Sequence, residues 1–193
     1  MSGGTTTAVV GGIVCALLIV LVAVLVATYN RLIRLRNQAD ASWAQIDVQL
    51  KRRYELIPNL VETVRGYANH ERSTLEAVVA ARGNAIAASE TPGLTGRAEA
   101  EGALTAALGR LFAIAEAYPD LKANQSFVTL QVELANTEDK IAYARQFFNS
   151  AIQSYNTAVQ SLPTNIIALL TGFRTRDFYQ TGSDERGPVQ VRF

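Results

Sequence analysis

The chain is short of the residues on which most site chemistry depends. Its 193 positions hold one cysteine, Cys15, and one histidine, His70, which excludes a disulfide framework and leaves almost no material for a metal centre. Lys and Arg number 18 against 17 Asp and Glu, a formal net charge of +1, so there is no general pull toward nucleic acid. Charge is missing locally as well, because the first charged side chain in the sequence is Arg31. What fills the gap is apolar.

From Ala8 to Ala27 the chain reads AVVGGIVCALLIVLVAVLVA, without a charge or a proline, long enough at ~1.5 Å per residue to cross a ~30 Å hydrocarbon layer. A cleaved signal peptide would need a basic n-region, and residues 1–7 contain no Lys or Arg. A lipoprotein reading would use Cys15, but Val14 precedes it in mid-span, and Cys15 reads instead as a small buried hydrophobe. Arg31, Arg34 and Arg36 follow the span at once, and positive flanks stay in the cytoplasm. These three arginines, with Tyr29 at interfacial depth, are the expected membrane-interface residues and face lipid head groups. Ala8, Gly12 and Ala16 recur every fourth residue and form a stripe of small side chains suited to helix packing within the membrane.

Beyond the span the apolar residues keep a helical period throughout and nothing reads as a strand. The first run, Leu32 through Trp43 to Tyr54, continues straight out of the bilayer. Trp43 lies ~22 Å past the span, too far for the interfacial belt, which marks it as a core anchor whose loss costs ~3–5 kcal/mol when fully packed. At Leu56-Ile57-Pro58-Asn59 the chain either reverses or kinks, since proline removes a donor and biases Ile57 away from helix. A second run spans Leu60 to Ile86, a third Ala98 to Ala115, and a fourth, the most regular, Phe127 to Leu162, with Asn124 as its cap. Four amphipathic runs with short links predict antiparallel neighbours. Residues 164–173 (TNIIALLTGF) either cap the bundle's open end or meet head groups, and the residues from Gly182 on read as a mobile tail.

The possible chemistry is thin. His70-Glu71 lacks the second histidine of H-E-x-x-H, because Thr74 stands one turn on. Di-metal carboxylate bundles need Glu-x-x-His, and Tyr67 occupies the required place. Gly93-x-x-Gly96 lacks the Lys-Ser/Thr of a phosphate loop. Glu62 and Arg65 fit a solvated i, i+3 pair. Asn136, Thr137 and Glu138 fall around the core stripe of the fourth run, where a buried polar group fixes register. Lys51, Arg52 and Arg53 form a basic cluster suited to ion pairs or a partner surface and not to nucleic acid.

The stretch Arg53-Tyr54-Glu55-Leu56-Ile57-Pro58-Asn59-Leu60-Val61-Glu62, with Gly66-Tyr67-Ala68 and His70-Glu71 after it, resembles the hallmark of the bacterial LemA family. So do Leu134-Ala135-Asn136-Thr137-Glu138, Ile141-Ala142, Arg145, Asn149 and Tyr155-Asn156, over roughly residues 8 to 180. The sequence departs from the usual pattern at Phe148, where tyrosine is expected, and around Arg174 to Tyr179. The resemblance implies an all-α protein, a single N-terminal transmembrane helix continuous with an antiparallel up-and-down four-helix bundle, and favours reversal at Pro58. It supplies no activity. Family genes often neighbour those of membrane zinc peptidases of the HtpX type, which implies such a peptidase as a partner.

The expected organisation is an external tail (1–7), a transmembrane helix (8–28), a cytoplasmic bundle (29–173) and a C-terminal tail (174–193). The expected function is non-enzymatic, with no cofactor, metal, nucleic acid or small-molecule substrate: a scaffold, adaptor or regulator of a membrane protein complex, itself a homo-oligomer or bound to another membrane protein. The alternative is a module that shapes or senses lipid. A hydrolase would have to use Glu62, Glu71 or Glu138.

Overall fold

The computed structural model describes residues 3–68, 70–91 and 93–180, with side chains described from Val10 onward. Every regular element among the described residues is a helix: α1 (Gly3–Arg65), α2 (Arg72–Glu90), α3 (Leu94–Ala115), the single turn α4 (Pro119–Lys122), α5 (Gln125–Gln160) and α6 (Thr164–Thr171). The described residues form two bodies. One takes the chain to Ala41 and resumes from Ser150 to Arg176; the other runs from Ser42 to Asn149 and resumes at Asp177.

In the first body, α1 carries the apolar span. Its richest 18-residue window has a mean hydropathy of 3.1 with none of it buried, and Val10, Leu17, Ile19, Leu21, Val24 and Val26 all stand exposed. The helix is long and apolar enough to cross a membrane. Helix is already present at Gly3, inside the segment expected as a tail. Cys15, expected to be buried, is exposed on the span surface, because a lone helix has no inside. Just past the span Leu32 is fully buried against Ala158 of α5 and Ile167 and Ala168 of α6, with Leu35, Val159 and Phe173 at the margin.

In the second body α1 buries Ile46, Leu50, Tyr54, Ile57, Leu60, Val61 and Val64, a stripe that keeps its helical step straight through Pro58. The expected reversal there is corrected: Pro58 lies inside α1 and the helix runs on to Arg65. The chain turns instead at Gly66–Glu71, where the Gly66 and Ala68 amides close onto the Glu62 and Val64 carbonyls. The second apolar run is accordingly split, its first residues finishing α1 and the rest forming α2. The third and fourth runs match α3 and α5, and Asn124 does cap α5, its Oδ1 accepting from the Phe127 amide at 3.0 Å. Leu75, Val78 and Ala85 of α2, Leu104, Leu108 and Leu111 of α3, and Phe127, Leu134, Ile141 and Phe148 of α5 complete the buried set. Each large apolar side chain so buried contributes roughly 1.5–3 kcal/mol.

Candidate functional site

How α1 survives Pro58 explains part of the sequence around it. A proline has no N–H for the carbonyl four residues back, here that of Tyr54. Arg82 of α2 supplies the missing donor, its Nε bonding the Tyr54 carbonyl oxygen at 2.7 Å. The helix break that proline threatens thus becomes a tie between α1 and α2.

One residue earlier sits the body's main buried charge. Arg53 is 0% exposed, and its Nη1 reaches Oε2 of Glu101, itself 1% exposed, at 3.1 Å. Its Nη2 donates to Thr105 Oγ1 at 2.7 Å. Its Nε lies 2.8 Å from Oε1 of Glu138, as an ion pair in which the N–H is not aimed at the oxygen. The Tyr54 hydroxyl donates to the other oxygen of Glu101. Burial first, then that hydrogen bond and the charge of Glu101, push the Tyr54 phenol well above its ordinary value. Burial also raises the Glu138 carboxyl, against the lowering pull of Arg53 and Arg145. Charges taken this far from water are held only while each keeps its partner. The cluster joins α1, α3 and α5. Among the described residues no three His, Cys, Asp or Glu side chains gather as a metal would require.

A feature invisible in the periodicity is the hold on residues 173–180. In the first body Gly172 takes the left-handed conformation, φ 77°, which closes α6 with the Phe173 amide on the Ala168 carbonyl at 2.9 Å. Tyr155 then donates its hydroxyl to the Arg174 carbonyl at 2.9 Å. Asn156 grips the Arg176 peptide from both sides, donating to its carbonyl and accepting from its amide, each at 2.9 Å. The Arg176 side chain pairs with Asp40. In the second body Asn149 grips Tyr179 in the same way, at 3.0 and 2.9 Å. The Tyr179 ring lies 6.0 Å from that of Trp43, which also meets Phe148 at 5.3 Å. Arg145 covers the Tyr179 ring and Arg97 covers Trp43, each at 4.8 Å.

The two asparagines stand seven residues apart on α5, ~10.5 Å of helix, and the peptides they hold are three residues apart, ~10 Å of extended chain. Each asparagine holds a main-chain segment without regular secondary structure, one in each body. Residues 174–180 of the expected C-terminal tail are therefore held by these bonds, while those from Gly182 on, expected to be mobile, lie outside the described residues.

The remaining expected positions fall as follows. Trp43 is half-buried, a platform for Tyr179 and Arg97 in place of a fully enclosed anchor. Asn136 is exposed, whereas Thr137 beside it is buried with its hydroxyl on the Glu133 carbonyl at 2.7 Å. Of the register trio, then, only Thr137 and Glu138 face inward. Asn59 and Glu62 are exposed, and Glu62 pairs with Arg65 at 2.7 Å as expected for a surface pair. The Tyr67 hydroxyl accepts from Asn124 Nδ2 at 2.8 Å, tying the turn after α1 to the start of α5. In the basic cluster Arg53 is wholly internal and Arg52 sits 3.9 Å from Glu133. Tyr29, Arg31, Arg34 and Arg36 are exposed past the span. Gly12 and Ala16 are exposed, nothing lies within 4 Å of a Cβ placed on Gly12, and the Ala8 side chain lies outside the described residues.

Comparison with known proteins follows the same residues. The magnetosome protein MamQ of Magnetospirillum gryphiswaldense is 28% identical, over 84% of this chain and 68% of its own. Magnetosome protein MamQ 1 of Paramagnetospirillum magneticum is 26% identical, over 82% and 67%. Protein LemA of Metamycoplasma hominis is 25% identical, over 87% and 76%. The LemA family profile matches residues 42–193, a stretch that contains the Arg53 cluster, the proline tie and both asparagine clasps, and the chain belongs to the LemA family.

Proposed function

We propose that this chain is a non-enzymatic scaffold anchored in the cell membrane by α1, its N-terminus outside and its helical part cytoplasmic. In this reading α1, α2, α3 and α5 form an antiparallel up-and-down four-helix bundle whose surface binds further copies of the chain or another membrane protein. The pairings of Trp43 with Phe148 and of Arg53 with Glu138 support opposite senses for α1 and α5. Arg31, Arg34 and Arg36 at one end of the span support the orientation.

The observation that carries the reading is an inversion of the usual sorting of side chains. The second body buries Arg53, Glu101 and Arg97 while leaving Tyr143 71% exposed on α5, with Phe147, Val132 and, on α1, Val48 also exposed. Tyr143 and Phe147 line one shallow groove with Gln45, Gln49, Asp139, Lys140 and Ala144. Rigid aromatics beside polar groups suit contact with protein, and the internal charges hold the helices that present them.

Native mass spectrometry of the full-length protein, gently extracted from its own membrane, tests the reading. Masses at multiples of 20.9 kDa would support self-assembly, and an added mass would identify a partner, with an HtpX-type peptidase the first to look for. A chain that stays monomeric and alone refutes it. Orientation is tested with an impermeant maleimide on Val48→Cys in a Cys15→Ser background, which must stay unlabelled until the cells are opened.

A further inference from the structure

We infer that α6 is a second membrane element: a short helix lying in the headgroup layer beside the span, its outward edge inserted among lipid chains. Leu169 is 84% exposed, Leu170 80%, Leu162 76% and Ile166 55%. Positions 166, 169 and 170 fall on one face of α6, opposite the buried Thr164, Ile167 and Ala168, and Leu162 stands exposed just before the helix. Four large apolar side chains on so short a segment form a patch that water does not leave uncovered without a purpose.

Position along α1 names the cover. Ile167 and Ala168 pack on Leu32, and the Phe173 ring meets Tyr29 edge-on at 5.9 Å. Leu32 is only six residues, ~9 Å of helix, past Val26, the last large apolar residue of the exposed span. Interfacial helices bury their apolar side to about the depth at which such a position falls. The charges agree. Arg31, Arg34 and Arg174 are exposed in the same body, and Arg36 stands 5.4 Å over the Phe173 ring, which surrounds the apolar edge with cations fit for anionic head groups. The clasp of Tyr155 on Arg174 and of Asn156 on Arg176 holds the exit from α6, so the edge is presented by a braced helix.

The inference rests on the anchored reading above, and the test separates the two. Full-length protein in a Cys15→Ser background is reconstituted in vesicles of phosphatidylcholine and phosphatidylglycerol. Single cysteines at Leu21, Val48, Leu169 or Leu170 carry a nitroxide, whose collisions with oxygen and with a water-soluble nickel chelate report depth. The expected result is lipid exposure at Leu21, water exposure at Val48, and at Leu169 and Leu170 an oxygen accessibility several-fold above that at Val48 with the chelate largely excluded. Water exposure at Leu169 and Leu170 overturns the inference while leaving the anchor intact. Inaccessibility to both reagents overturns it too, since the edge is then covered by protein, a second copy included. Loss of the lipid signal at Leu21 refutes the anchor itself.

Discussion

Replacing Pro58 tests whether the family's proline is a weak point repaired by Arg82. Proline inside a helix costs about 3 kcal/mol relative to alanine, through a lost hydrogen bond and a clash with the preceding turn. Here the orphaned Tyr54 carbonyl is satisfied by a charged donor at 2.7 Å, a bond worth about 1.5–3 kcal/mol. Arg82→Ala in the natural chain should therefore cost about 2 kcal/mol, because it leaves a carbonyl inside the helix without a donor. Pro58→Ala returns an N–H to that carbonyl and should be neutral or stabilising by about 1 kcal/mol, the gain being reduced by the looser unfolded chain. With the helix bond restored, Arg82→Ala should cost at most about 1 kcal/mol, so the double-mutant cycle should show about 1–2 kcal/mol of coupling. The unfolded-state effect of the proline appears on both sides of the cycle and cancels. Urea unfolding of the four proteins in a mild detergent, followed by far-ultraviolet circular dichroism, supplies the numbers. Additivity within about 0.5 kcal/mol, or a Pro58→Ala protein less stable than the parent, would refute the repair.

Arg53→Met should destabilise by about 3–5 kcal/mol, since it leaves the Glu101 charge buried without its partner, and the same unfolding assay reads it; a cost below about 1 kcal/mol would show that the cluster does not hold the helices. Glu138→Gln should behave differently, with a dependence on pH. Burial raises the folded carboxyl above its ordinary 4.5, so the folded protein binds the extra proton and the natural chain gains stability as pH falls toward that value. The variant lacks this gain and should compare better with its parent at about pH 7.5 than at about pH 5; a flat or opposite difference contradicts the assignment. Asn156→Ala should release the Arg176 peptide and Asn149→Ala that of Tyr179, each raising local hydrogen exchange about tenfold for every 1.4 kcal/mol of lost bonding. Unchanged protection of those amides would mean that other contacts hold the segment.

The all-helical class, the span and the long α3 and α5 could be read from spacing alone, because burial on one face leaves a period in the sequence. Pro58 alone does not decide between a reversal and a kink, for a definite reason. Proline is a local signal, and what allows α1 to pass through it is a guanidinium 28 residues beyond the Tyr54 carbonyl that it bonds. Gly66 was the better marker of the end. Lys51, Arg52 and Arg53 read as one cluster suited to ion pairs or a partner surface, and the ion pairs hold for Arg53; its burial beside the exposed Lys51 and Arg52 depends on carboxylates from two other helices. The clasped segment left no periodic trace, since it has no regular secondary structure of its own. Its only signature was the interval between Asn149 and Asn156.

That interval carries a consequence for how the sequence can change. Each asparagine amide gives one N–H to a main-chain carbonyl and takes one main-chain amide on its oxygen, as the edge of a β-strand would. Such recognition does not register which side chain the held residue bears. The clasp itself therefore excludes only proline at 176 and 179, which has no amide hydrogen to give, while the side chains there answer to other contacts, Arg176 to Asp40 and Tyr179 to Trp43 and Arg145. The main-chain grip can thus persist where residues 174 to 179 depart from the family's usual letters, because it resides in the two asparagines of α5.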